Sequence, residues 1–257
     1  MTSNQNPKPK SQNPLLPWLD VLAVGSWGIL MLKYQFTGQL YLLIHPDFFW
    51  LVNVGGMGLV IVAGFKAKQL WRWRRREDVP STLHINVFPP GWGSSLLLTA
   101  AILGFIITPQ AFASDKALQR GVNNLLGTSR VKPQAFRANV SPEERSLVDW
   151  VRTVSVYPEP DKYTGQKVKV QGFVIYPPDI GQEYLFLARF VLTCCAADAY
   201  PVGLPVKLQD SREQYPPDTW LEIEGQMVTE NLLGKRQLTI AATSLKKISQ
   251  PKNPYAY

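Results

Sequence analysis

The stretch QKVKVQGFVIY, residues 166–176, alternates polar and apolar side chains as far as Gly172 and is then continuously apolar. A period of two marks a half-buried strand, and a glycine at the change of pattern is a place where a strand can bend. Four further segments carry strand signals: EYLFLARFVLT (183–193), GLPVKLQ (203–209), TWLEIEGQMVTE (219–230) and KRQLTIAATSL (235–245). Five short strands separated by Gly, Pro and Asp predict a small all-β barrel. Two of them run into a glycine, Gly172 and Gly225, which fits a five-stranded OB-like barrel bent at those points. Only DSREQYPPD (210–218) separates the third and fourth strands, too short and proline-rich for a helix, so a reduced form of that barrel is expected.

Upstream, SPEERSLVDWVRTV (141–154) predicts a helix with Ser141 as cap, Pro142 in the first turn and Glu144 completing a capping box. Leu147, Trp150, Val151 and Val154 then share one face, which should pack on the strands. The β domain with its helix is thus placed at 141–250, followed by a tail at 251–257. A polar linker precedes it at 115–140, with room for one short helical piece.

An OB-like fold raises the question of nucleic acid, and charge answers it. From Tyr163 to Gln250 there are nine Lys/Arg and nine Asp/Glu, although the whole chain carries a formal net charge of +8. A neutral barrel is a poor match for a phosphate-tracking groove, so no nucleic-acid partner is expected. The excess positive charge lies in the N-terminal part, where three apolar stretches stand out.

Residues 15–32 carry only Asp20, residues 48–65 carry no charge, and the charge-free run 85–114 has its apolar centre at 92–112. Each approaches the roughly 20 residues that cross a bilayer, and three spans over residues 1–114 are predicted. Lys8 and Lys10 precede the first, while KAKQLWRWRRRED (66–78) separates the second from the third. Positive residues in short loops stay in the cytoplasm. This predicts a bacterial inner-membrane protein with a cytoplasmic N-terminus and an extracytoplasmic β domain. Trp71 and Trp73, alternating with Arg72 and followed by Arg74, Arg75 and Arg76, read as an interfacial anchor against the lipid bilayer rather than a nucleic-acid patch. Asp20 falls in the first turns of its helix, where the dipole favours an acid, with a proton or ion role as the other reading. Ala100, Gly104 and Thr108 recur every four residues and suggest a helix-packing face. Ala111-Phe112-Ala113 resembles a signal-peptidase site; an uncleaved anchor is expected because two spans precede it and the apolar run is too long for a signal.

The two cysteines of the chain, Cys194 and Cys195, are adjacent and are followed by Asp198. Neighbouring Cα atoms are about 3.8 Å apart, below the usual disulfide range, so a structural staple is not expected. If the second strand ran straight through them, Cys194 would follow Phe190 and Leu192 inward and Cys195 would share the face of Arg189 and Thr193. Both would then be packing residues. A turn at Ala196-Ala197 would instead bring the sulfurs to one side and create a soft-metal or redox site from Cys194, Cys195 and Asp198, with Arg189 as a neighbouring charge. That site lacks an evident fourth ligand, because His45 and His84 both lie in the membrane part. The β domain has no histidine, no Gly-rich phosphate loop and no nucleophile with a general base, so no enzymatic activity is expected.

YTGQKVKVQGFV (163–174), LARFVLTCCAADAYPVGLPV (187–206) and DTWLEIEGQM (218–227) resemble the C-terminal domain of a family of bacterial membrane proteins classed as the small subunit of two-component membrane permeases. The resemblance covers roughly 145–247, with a similar hydrophobic layout before it. Its Cys-Cys-x-x-Asp block is matched by Cys194, Cys195 and Asp198, with Arg189 upstream. It implies N-terminal spans and a polytopic permease-like partner, an architecture more than a chemistry, and it requires no particular cofactor.

Overall fold

The computed structural model describes residues 15–73, 89–121, 141–178 and 180–257. The chain divides into two compact units: Met1–Leu40 with Pro46–Pro109, and Tyr41–His45 with Gln110–Tyr257.

Among its described residues the first unit contains three α-helices, α1 (Leu16–Phe36), α2 (Phe49–Trp73) and α3 (Trp92–Ile106), with α1 packed against both others. At 1.5 Å per residue α1 and α2 are about 32 and 38 Å long, enough for a hydrocarbon core of roughly 30 Å. Both are apolar enough to cross a membrane, and most of their side chains are not buried within the protein. The third expected span is shorter than its apolar run: α3 has 15 residues, about 22 Å, and Ile107 is already extended. Pro109 explains the early stop, since its ring would clash with the Phe105 carbonyl and it disfavours helical geometry at Thr108.

The helices meet through small residues and polar contacts. A Cβ on Gly28 would lie 2.8 Å from the Gly56 carbonyl oxygen, so α1 and α2 approach backbone to backbone. Gly104 sits under Leu30, and its carbonyl accepts the Tyr34 hydroxyl at 2.7 Å. Of the expected packing face, only Gly104 makes this contact; Ala100 is exposed and Thr108 lies beyond the helix end, while Ala101 is the fully buried residue. A four-residue spacing drifts around a 3.6-residue helix, which is why the true face shifts by one position. Asp20, five residues into α1, accepts the Lys66 ammonium at 3.0 Å and the Ser94 hydroxyl, so it joins all three helices. Trp71 and Arg72 are exposed at the end of α2. The Trp73 side chain, Arg74, Arg75, Arg76 and His84 lie outside the described residues.

Among its described residues the second unit contains α4 (Ser114–Gln119), α5 (Leu147–Val156) and six strands: β1 (Lys167–Ile175), β2 (Tyr184–Val191), β3 (Tyr200–Lys207), β4 (Trp220–Leu232), β5 (Lys235–Lys247) and β6 (Tyr255–Ala256). The five expected strands are present. The sheet order is β1-β4-β5-β3-β2-β6, and β1 also pairs with β2, so the ladder over the first five strands returns to its start. All of those pairings are antiparallel except β3–β5. Leu233 and Gly234, both with positive φ, close the β4–β5 hairpin.

The apolar run of β2 has a simple cause: both its faces are covered. Leu185 and Leu187 join Val168, Val170, Leu221, Ile223 and Ile240 in one core under α5. Phe186, Ala188 and Phe190 join Phe173, Trp220, Ala117 and Tyr255 in a second. That second core is closed by α4 and by residues expected to be tail, since β6 pairs parallel with β2 through Phe190↔Tyr255 and Val191↔Ala256. The helix before the sheet begins later than expected. Ser141 makes no side-chain cap, Pro142–Glu144 form a single 3-10 turn, and Ser146 caps α5 by a reciprocal box with Asp149. Asp149 at the third helical position both accepts the Ser146 N–H and places a negative charge at the helix N-terminus. The expected apolar face holds, with Leu147, Trp150 and Val151 buried and Val154 packed at its edge.

Candidate functional site

β2 ends at Val191, three residues before the cysteines, and β3 starts at Tyr200. The cysteines therefore lie in the β2–β3 connection. Cys194 is exposed and Cys195 half-buried, so the inward position expected for Cys194 on a straight strand is not observed. The chain turns because Asp198 draws it in: its carboxylate accepts the amide N–H groups of Cys194 at 2.7 Å, Thr193 at 3.2 Å and Cys195 at 3.4 Å. One 3-10 turn, Ala196–Asp198, completes the loop.

Two other groups hold the same turn. Residues Tyr41–His45, which follow α1 and precede α2 in the chain, belong to this unit and form a short antiparallel bridge, Ile44↔Cys195. His45 N–H donates to the Cys194 carbonyl at 2.9 Å, and Ala196 N–H donates to the Leu43 carbonyl at 2.7 Å. Arg120, at the end of α4, donates to the carbonyls of Ala196 and Ala199 and stacks 4.6 Å over the Phe112 ring. An exposed loop of small residues is thus fixed at its amides, its carbonyls and its edge.

The turn brings the two thiols together. A hydrogen bond with the Cys195 thiol, then partial desolvation and the charges of Cys195 and Asp198, push the Cys194 thiol above its ordinary pKa. Because the thiolate is the nucleophile, a raised pKa slows alkylation near neutral pH. Asp198→Asn keeps an acceptor for the amides but removes the charge, so Cys194 alkylation should become faster at pH 7–8. A pH–rate profile with iodoacetamide that does not move would count against this account.

Arg189 does not face the cysteines. It is largely buried, donates to the carbonyls of Asn253 at 3.0 Å and Pro254 at 3.3 Å, and lies 5.8 Å over the Trp220 ring. Burial lowers its pKa, yet a guanidinium remains charged. Its observed partners make it a clasp for the last residues. Tyr257 completes that clasp: its hydroxyl donates to Asn253 Oδ1 at 2.7 Å, and burial pushes its pKa up to about 12. Its ring meets His45 edge-on at 4.6 Å.

The expected three-donor metal set is not assembled. Asp198 uses both oxygens on backbone amides, and among the described residues no group of three His, Cys, Asp or Glu could hold a metal ion. Sequence reasoning missed Arg120, and it put His45 in the membrane part, whereas Tyr41–His45 belong to the β unit beside the cysteines. Neither carries a motif, and their approach depends on long-range closure.

Residues 137–257 match the family model described as DUF1980 C-terminal domain. Over 129 residues the chain is 26% identical to UPF0703 protein YcgQ of Bacillus subtilis (strain 168), a match covering 48% of this chain and 45% of that protein. The chain thus spans about half the length of the curated relative it matches. No solved structure matches. Together the two matches support kinship with a bacterial protein family.

Proposed function

We propose that this protein is the accessory subunit of a polytopic membrane permease, anchored by its N-terminal helices, and that its exported β unit presents Cys194 and Cys195 as a binding dithiol. The observation that carries the dithiol is the exposed cysteine turn, held by Asp198, Arg120 and residues 43–45. Binding groups placed on rigid supports are a mark of functional sites. The five-strand ladder that returns to its start supports an OB-like barrel beneath it.

Orientation follows from two independent features. Lys66, Lys68 and Arg72–Arg76 favour a cytoplasmic α2–α3 connection. Residues 41–45, between α1 and α2, are part of the β unit, which supports one side of the bilayer for both. A membrane-crossing α3 would return the chain to that side, and Ile107, just past its end, is extended. The permease partner comes from the resemblance of 145–247. An alternative is a self-sufficient periplasmic metal- or thiol-handling protein, which the exposure of Cys194 also suits.

Reporter fusions after Gln110 and after Tyr257 should both show export, and a membrane-impermeant maleimide should label Cys194 in intact cells. Labelling only after lysis would overturn the orientation. Copurification with a polytopic protein separates the subunit from the self-sufficient form.

A further inference from the structure

The same turn narrows the ligand. Resting on the reading of the turn as a binding dithiol, we propose that Cys194 and Cys195 chelate one soft monovalent ion of the cuprous class through two sulfurs. Zinc in structural protein sites takes four ligands, and calcium and magnesium take oxygens. The one carboxylate that the turn offers, Asp198, is committed to the amides of Thr193, Cys194 and Cys195. With no three-donor group among the described residues, the site suits an ion content with low coordination and thiolate ligands, which is the preference of Cu(I).

The geometry agrees. The turn sets the Cys195 thiol beside that of Cys194. Two metal–sulfur bonds of about 2.3 Å, the zinc–thiolate length, can bridge sulfurs up to roughly 4.6 Å apart. Cys194 is exposed, so an ion reaches the pair without any opening of the fold. The backbone under it is fixed on three sides, and ligation asks only for side-chain rotation. In the binding step both S–H bonds break, the two protons pass to water, and two S–Cu bonds form. Copper remains Cu(I), no electron moves, and the product carries one negative charge. Arg120, bonded to Ala196 and Ala199 in the same turn, supplies a nearby positive charge that offsets it.

The test uses the full chain, purified anaerobically in detergent and titrated with Cu(I) against a chromophoric Cu(I) chelator, with Zn(II) titrated in parallel. One Cu(I) per chain is expected, with affinity lowered at least about 100-fold in Cys194→Ser and in Cys195→Ser, and with Zn(II) held far more weakly. Unchanged Cu(I) binding in either variant, or equal affinity for Zn(II), overturns the proposal. An aromatic disulfide reagent on the same samples counts accessible thiols. Two reactive thiols with no Cu(I) bound would sink the cuprous chelate and leave the dithiol reading intact. No reactive thiol would sink both. One reactive thiol in each serine variant, at an unchanged denaturation midpoint, shows that a lost affinity is not lost folding.

Discussion

Gly225→Val is expected to unfold the β unit. Gly225 lies in β4 where the pairing with β5 slips by one residue, and a Cβ there would run into the Ala241 carbonyl oxygen, with the Ala242 Cα only 3.1 Å away. These are backbone atoms of the neighbouring strand and cannot rotate aside. Overpacking of this kind costs about 3 kcal/mol or more, and two extra methyl groups leave no rotamer that avoids it. A domain stable by roughly 5–15 kcal/mol loses much of its margin to such a change. The expected result is loss of the protease-resistant β unit from the intact chain in mild detergent. Gly55→Ala is the control, because nothing lies within 4 Å of a Cβ at that helical position. A β unit as resistant with valine as with glycine would mean that β4 does not pass this close to β5.

The same glycine shows what the sequence makes legible. Gly172 and Gly225 were readable as bends because each interrupts an alternating strand, and at each a Cβ would meet a neighbouring carbonyl. Period-two alternation in β1 and β4 and the apolar length of β2 express local burial, which a sequence reports directly. β6 was not legible: two residues, Tyr255 and Ala256, carry no periodicity, and their pairing exists only because Phe190 and Phe112 are in place to receive Tyr255. The start of α5 was misplaced because Ser141 and Ser146 offer the same hydroxyl, and Asp149 decides between them. At the cysteines the pattern left a straight strand and a turn both open, and the structure has the turn. The apolar run through Leu192 reads as strand continuing inward, while the feature that stops it, the Asp198 carboxylate on three amides, acts backwards from residues further along. The spacing Cys-Cys-x-x-Asp was visible; that its aspartate holds the loop rather than a ligand required the geometry.

Tyr255→Ala joins the fold to the site. Tyr255 is 2% exposed, its ring lies between Phe112 and Phe190 with centroids 5.9 and 6.3 Å away, and its hydroxyl accepts the Phe112 N–H at 3.2 Å. Truncation removes a buried ring from the second core and leaves a cavity lined by aromatic side chains, a change that costs about 3–5 kcal/mol. The Phe112 amide loses its acceptor as well, which adds about 1 kcal/mol if water does not replace it. The consequence reaches the cysteines through one strand. β6 holds the end of β2 by Val191↔Ala256, and the Leu192 N–H donates to the Ala256 carbonyl at 2.9 Å, two residues before Cys194. Loosening that pairing frees the side of the turn that Asp198 and Arg120 do not hold. Tyr255→Ala should therefore lower the denaturation midpoint of the intact chain and make alkylation of Cys195, the half-buried thiol, faster. Tyr255→Phe keeps the ring and loses only the acceptor, so it should cost about 1 kcal/mol and leave Cys195 labelling as it was. If the alanine variant melts with the parent, the last residues do not close the second core. If it melts early and Cys195 labels at the parent rate, the turn is held by Asp198, Arg120 and residues 43–45 alone, and β6 serves the core without serving the site.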